Sequence, residues 1–173
     1  LVGSEERRKV MGLLEISAGD RVLDVGCGPG NYSRHLAGQA GDGLVVGIDA
    51  SAAMLDVAMK RGGGANLAYV RGDACALPFG GDAFDAVCCL GVIHMIDDAM
   101  GALDEMVRVL APGGRLVVAA SYGDVTDRAE LPGGVRVFGP SELTDALKQR
   151  SMVDIGQYVS HRGQLVSGRR GAA

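Results

Sequence analysis

The stretch Arg21-Val-Leu-Asp-Val-Gly-Cys-Gly-Pro-Gly30 constrains this chain most. A branched apolar run ends in an aspartate, a glycine-rich turn follows at once, and a helix-like segment begins at Asn31. Strand, glycine turn and helix in that order are the plan of a nucleotide-type binding site. Gly26 and Gly28 let the backbone adopt positive φ and approach a ligand closely. The helix behind them points its positive end at the turn.

The spacing narrows the ligand. A dinucleotide fingerprint counted from Gly26 needs glycine or alanine where Asn31 stands, and the Gly-Lys-Ser/Thr ending of a phosphate loop is absent. Instead a carboxylate, Asp24, stands two residues before the first glycine. It would repel a pyrophosphate, whereas an ammonium group would give it a charge-assisted hydrogen bond. The competing reading is that Asp24 only caps the turn. A second apolar run, Leu44-Val-Val-Gly-Ile-Asp49, ends in an acid at the distance where a carboxylate reaches a ribose hydroxyl pair. Ser51 is placed to N-cap the helix carrying Met54, Leu55 and Ala58. A third short strand, Leu67 to Arg71, leads into Gly72-Asp73-Ala74. Three strand ends with carboxylates share one edge of an open parallel sheet, where ligands bind.

The rest of the chain alternates in the same way. Ser4 to Glu15 reads as an amphipathic helix through Val10, Leu13 and Leu14. Phe84 to Leu90 is a fourth strand with Asp85 interrupting it. Asp97 or Asp98 caps a helix with Met100, Leu103, Val107 and Leu110 on one face, and Pro112-Gly113-Gly114 ends it. Arg115 to Ser121 is a fifth strand and Ser141 to Arg150 another helix. Short strands over Asp154 to Val159 and Gln164 to Ser167 flank a turn near Arg162-Gly163. Such alternation predicts an α/β fold, a parallel sheet covered on both faces.

These residues resemble the class I S-adenosylmethionine-dependent methyltransferases, of the small-molecule type grouped with ubiquinone/menaquinone biosynthesis methyltransferases. The likeness spans about Asp20 to Ser121 through Val22 to Gly30, Gly47-Ile-Asp-Ala-Ser51, Gly72-Asp-Ala-Cys-Ala-Leu-Pro-Phe79, Phe84-Asp85-Ala-Val, Gly91-Val-Ile-His-Met-Ile-Asp97 and Leu110-Ala-Pro-Gly-Gly-Arg-Leu116. Beyond Ser121 it thins, with Phe138-Gly-Pro-Ser-Glu-Leu143 resembling a helix start found late in family members. The resemblance implies a Rossmann-like three-layer sandwich, with a mostly parallel seven-stranded sheet and an antiparallel last strand. It also implies S-adenosyl-L-methionine as cofactor. Gly26, Cys27, Gly28 and Gly30 would line its methionine half, with Asp24 near the amine. Asp49 would take the ribose hydroxyls, and Ala50 and Met54 would flank the adenine. Asp73 and the Ala74 amide would meet the adenine edge, and Leu90 would lie near the methyl donor. Met54 is equally placed to be a core residue.

At 173 residues the chain is expected to be one domain over 1–173. It carries 47% hydrophobic and 22% charged residues, with neither a membrane-length apolar run nor a signal-peptide pattern. A net charge of −4 without a basic stripe argues against nucleic acid as partner. The four cysteines lack metal-ligand or pairing spacing, so no metal is expected and a cytoplasmic location fits. Arginine far outnumbers lysine, and glycine and alanine are abundant, pointing to a bacterial gene of high GC content.

A sulfonium methyl group is already activated, so alignment and exclusion of water do most of the chemistry. A base is required only when the attacking atom carries a proton. His94, just past the fourth strand, is the candidate catalytic base, with local packing as its other reading; His35 and His161 read as exposed or structural. No Asn/Asp-Pro-Pro-Tyr/Phe pattern follows the fourth strand, where Leu90-Gly91-Val92 stands, which argues against nucleic-acid nitrogen substrates. Ser121 to Phe138 and the residues before Ser4 offer little cover for an acceptor and are expected to be mobile. The expected function is methyl transfer to a small molecule, with acceptor atom and a homodimer left open. Two alternatives stand beside it: another reaction on the same fold, and a non-catalytic cofactor-binding partner subunit.

Overall fold

A computed structural model describes residues 4–123, 135–161 and 163–172. Seven strands form one sheet in the order β3-β2-β1-β4-β5-β7-β6. They are β1 (Arg21–Val25), β2 (Leu44–Asp49), β3 (Leu67–Arg71), β4 (Phe84–Leu90), β5 (Leu110–Ala120), β6 (Met152–Ser160) and β7 (Gly163–Arg170). Helices α1 (Ser4–Leu14), α2 (Asn31–Ala40), α3 (Ala52–Lys60), α4 (Ala99–Val109) and α5 (Glu142–Gln149) connect and cover them. β3, β2, β1, β4 and β5 are mutually parallel, whereas β7 runs antiparallel to both β5 and β6. This is the Rossmann-like sandwich expected, with its reversed final strand.

The period-two alternation of the strands builds the layers. Val22, Val45, Ala86, Cys88 and Val117 pack with Val10 and Leu14 of α1 and Leu36, Ala37 and Ala40 of α2. Their neighbours Leu23, Val46, Val87, Cys89, Leu116 and Val118 face the other way, onto α4, α5 and the buried Phe138. Strands buried on both faces are continuous apolar runs for this reason. Asp85 is tolerated within one because the Arg21 N–H donates to its Oδ2 at 2.8 Å and the Arg21 guanidinium grips both oxygens. Arginine beside it holds the Asp85 carboxyl below its ordinary range.

Four local expectations are corrected, and the choice between Asp97 and Asp98 as N-cap falls on Asp98. The buried face of α4 consists of Ala99, Ala102, Leu103, Met106 and Val109, so Met100 and Val107 flank the core. Leu110 is the first residue of β5, paired with Phe84, and not part of the helix. Asp98 is the N-cap, accepting from the Gly101 N–H at 2.8 Å. Pro112-Gly113-Gly114 lies inside β5, where pairing jumps from Phe84↔Leu110 to Ala86↔Arg115; the intervening residues bulge out, with Gly113 at φ 74°. β6 and β7 also run longer than their apolar cores suggest, because the Ser160↔Gly163 hairpin carries their pairing on to Met152↔Arg170.

The expected mobile cover falls largely on residues 1–3 and 124–134, outside the described residues. The described ends of the second stretch are tied down. The Ser121 hydroxyl donates to the Arg136 carbonyl at 2.5 Å, and the Gly123 N–H to the Phe138 carbonyl at 3.2 Å.

Candidate functional site

The glycine turn is held open by its own dihedrals. Gly26, Gly28 and Gly30 have φ of 69°, 52° and 73°, a region that disfavours other residues. A Cβ on Gly26 would also lie 2.5–2.9 Å from the Val92 side chain, and one on Gly30 would lie 2.1 Å from the Tyr69 hydroxyl oxygen. A Cβ on Gly28 would meet nothing within 4 Å, so here the backbone is bare on its open side. Hydrogen bonds stitch the turn to β2. The Gly26 and Cys27 N–H groups donate to the Ile48 carbonyl at 2.8 and 3.1 Å. The Asp49 carboxylate takes the Gly28 N–H at 2.8 Å on Oδ2 and the Ser51 N–H at 2.9 Å on Oδ1. Ser51 caps α3 through the Met54 N–H.

Beside this turn lies a cavity of about 810 Å³. Asp24, Gly26, Cys27, Gly28, Leu90 and Val92 form its inner part. Asp24 is 1% exposed and is no turn cap. Ser33 of α2 donates its hydroxyl to Oδ2 at 2.6 Å, and the Cys88 thiol donates to Oδ1 at 3.5 Å. Burial pushes the Asp24 carboxyl up to about 6, with the Ser33 bond opposing the shift. The Cys27 thiol is pushed up by burial and by the Asp24 and Asp49 charges, so it stays a neutral wall.

The remaining predicted residues lie along the same sheet edge but do not line the cavity. The Asp49 carbonyl accepts the Gly72 N–H at 3.1 Å, which links the ends of β2 and β3. Ala50 is exposed, and Met54, 45% exposed, is no core residue, since Leu55 and Ala58 are the buried positions of α3. Asp73 is exposed and accepts the Cys75 N–H at 2.9 Å; Ala74 is half-buried. Gly30 is the N-cap residue of α2. His94 sits in a 3-10 turn, Ile93–Met95, which is absent from the sequence reading. The Arg136 N–H donates to its carbonyl at 2.8 Å, its Nδ1 is buried without a partner, and burial lowers its pKa.

The outer wall holds Arg7, Tyr32 and Arg34, which the sequence did not single out, and beside them His35, which is exposed as expected. Helical spacing after the glycine turn could have shown that Tyr32 and His35 share a face of α2. No local pattern could have brought Arg7 there, because α1 reaches the cavity only through packing across the sheet. Among the described residues no group of three or more His, Cys, Asp or Glu is arranged to hold a metal, and no helix is long and apolar enough to cross a membrane.

A parallel sheet carrying a glycine turn and ribose-distance acid on one edge is the frame of the class I S-adenosylmethionine-dependent methyltransferases. Residues 23–118 match the family described as "Methyltransferase domain", and the chain belongs to that family. It is 42% identical over 113 residues to a demethylmenaquinone methyltransferase of Beutenbergia cavernae, covering 65% of this chain and 45% of that protein. The chain spans about half the length of the curated relatives it matches. An S-adenosylmethionine-dependent methyltransferase from Mesorhizobium loti has the same fold, with a TM-score of 0.79, 21% identity and 96% of each chain covered. So does the [4+2]-cyclase SpnF, with a TM-score of 0.85, 21% identity, and coverage of 98% of this chain and 81% of that one.

Proposed function

We propose that this chain, working as one domain in a bacterial cytoplasm, binds S-adenosylmethionine along the β1–β4 edge and transfers its methyl group to a small-molecule acceptor. The observation that carries the reading is the left-handed glycine turn anchored to Asp49 and opening on a cavity of about 810 Å³, a volume suited to a small molecule. The residues fit an S-adenosyl group: the Gly28 backbone is bare, Asp49 retains unused lone pairs, and the buried Tyr32 hydroxyl has no partner. Bound there, the cofactor would supply a methyl group on a sulfonium whose leaving group is a neutral thioether.

The chain's own residues do the rest. Asp24 places a buried negative charge beneath the amino-acid end of the site. Asp49 orients ribose hydroxyls while tying down Gly28, and Ala50, Met54, Asp73 and the Ala74 amide border the adenine. Leu90 and Val92 keep water from the reacting carbon. His94 is the base assigned to the acceptor's proton: it lies just past Leu90 and Val92 of the cavity wall, burial favours its neutral ring, and its Nδ1 has no competing partner. The named relatives make demethylmenaquinone the first acceptor to try.

The test is incubation with methyl-labelled S-adenosylmethionine and an acceptor panel beginning with demethylmenaquinone. Label should move to an acceptor, and His94→Gln should slow that transfer by about a hundredfold while leaving S-adenosylhomocysteine affinity unchanged. Tight NAD binding with no response to either adenosyl compound would overturn the reading. The cyclase neighbour favours a second one, in which the cofactor is held while another reaction proceeds. Bound cofactor that keeps its label while an acceptor changes structure at constant mass selects that alternative.

A further inference from the structure

We infer that the outer wall of the cavity is an anion-binding subsite, built from Arg7 and His35 with Arg34 and the Tyr32 hydroxyl beside them, which takes a carboxylate or phosphate group of a bound small molecule. The inference rests on the reading of this cavity as the cofactor's.

Among the described residues, seven arginines meet a carboxylate: Arg21, Arg108, Arg115, Arg136, Arg150, Arg169 and Arg170. The arginines of the cavity wall do not. Arg7 has His35 as its partner, Nη1 to Nε2 at 3.0 Å. Arg34 donates to the Pro29 carbonyl at 3.2 Å and to Asn31 Oδ1 at 3.0 Å. Arg61 donates to the same Asn31 oxygen at 3.0 Å. Neutral acceptors aim these guanidinium groups without cancelling their charge, and most of their five donors remain for a ligand. A guanidinium can only donate, so His35 Nε2 is the acceptor in this contact and Nδ1 is the ring nitrogen left for other partners.

The acids nearby leave the wall positive. Asp24 lies on the cavity floor with its oxygens engaged by Ser33 and Cys88. Glu6 acts on the Tyr32 hydroxyl but forms no ion pair with Arg7. Burial, reinforced by Glu6, pushes the Tyr32 hydroxyl up to about 12, so it keeps its proton. It is therefore a buried donor without an acceptor. A buried donor left unpaired is costly, and an anionic oxygen would satisfy it. This concentration of positive charge is local, because the whole chain carries −4. The anion has two sources, the amino-acid carboxylate of the cofactor or an acidic group on the acceptor, and the same chemistry recognises both.

Calorimetry on the full chain separates them. S-adenosylhomocysteine and 5′-methylthioadenosine, which lacks the amino-acid end, are titrated into wild type, Arg7→Gln and Arg7→Lys. Benzoate and inorganic phosphate are then titrated into protein loaded with S-adenosylhomocysteine. Arg7→Gln should weaken an anion-bearing ligand by at least about tenfold, and Arg7→Lys should recover most of it. A loss confined to S-adenosylhomocysteine, with methylthioadenosine unaffected, assigns the anion to the cofactor. A loss confined to benzoate or phosphate assigns it to the acceptor. If Arg7→Gln changes none of these affinities, the subsite does not exist. Unchanged methylthioadenosine affinity also reports that the variant folds. Should that be lost, His35→Gln at its exposed position is read instead, with a loss of about threefold or more expected for the anions and no loss overturning the subsite. If wild type binds neither adenosyl compound, the cofactor reading fails; benzoate and phosphate titrated into the free protein then decide the subsite by the same criterion.

Discussion

Two parts of one sheet meet at β4. On the β1–β4 side, the chain leaves β1, β2 and β3 through glycine turns or an acid; the β1 turn is bonded to the end of β2, and Gly72 after β3 is bonded back to Asp49. On the β5–β7 side, the strands are joined in antiparallel register, and β6 ends the sheet with most of its residues exposed. The first part spends conformational strain on an open edge. Among the described residues, the polar ties of the second part, such as Glu142 to Gly139 and Arg136, close loops against the body. The site therefore falls where strand order reverses, between β1 and β4, because crossovers there diverge to opposite faces and leave a crevice.

The sharpest way to break this contrast is to add one methyl group to each part. Gly26→Ala meets Val92 carbons at 2.5–2.9 Å in a left-handed conformation, and should cost about 2–4 kcal/mol and abolish measurable S-adenosylhomocysteine binding. Gly168→Ala in β7 meets its nearest atom at 3.4 Å and should change the denaturation midpoint by less than about 1 kcal/mol. Equal effects would mean that the glycine turn is not specially strained.

A second contrast uses pH. The folded-state pKa of Asp24 is raised to about 6 by burial, so ionising it opposes folding. Its cost is absent below about pH 4, grows as pH rises through the window to about 6, and is complete above it, amounting to about 3 kcal/mol. Asp24→Asn should therefore gain thermal stability relative to wild type between pH 4 and 7, by several degrees. The acids lowered by arginine or lysine, Asp85, Glu105 and Asp145, lose their contribution only as pH falls below that window. A difference in melting temperature that stays constant from pH 4 to 7 would show that Asp24 is not buried in its charged form.

The smallest effect separates two carboxylates that both tie backbone. Asp49→Ala should weaken S-adenosylhomocysteine by about tenfold, or 1.4 kcal/mol, without unfolding the chain. Glu142→Gln, which disturbs the Gly139 and Arg136 contacts, should leave that affinity within about twofold. Comparable losses from both would join the two parts into one functional unit.

The legibility of the chain follows the same division. Strands β1, β2 and β4 are readable because a strand buried on both faces is an apolar run, whereas the edge strand β3 has no fully buried residue and is marked by the Gly72-Asp73 punctuation after it. Gly26 to Gly30 and the position of Asp49 needed only that local grammar. The phase of α4 is hidden from the sequence because small residues, Ala99 and Ala102, fill its buried face while the larger Met100 and Val107 flank it. The Pro112-Gly113-Gly114 bulge reads as a helix end, since the same residues serve both purposes. Asp24 illustrates the deeper limit: its aspartate was visible, but Ser33 and Cys88, which determine its environment, come from another helix and another strand. Arg7 could be found only after folding.

Strand order has a consequence for how this molecule is made. β7 follows β6 in the chain yet lies between β5 and β6. A ribosome can deliver the ligand-binding edge intact while β5 still shows a row of bare amides and carbonyls, because the strand that covers them emerges only after the chain from Ala120 to Gly163. During that interval the nascent protein carries an open, apolar strand edge of the kind that invites pairing with a neighbour. The completion of the C-terminal hairpin is thus what covers the edge of β5.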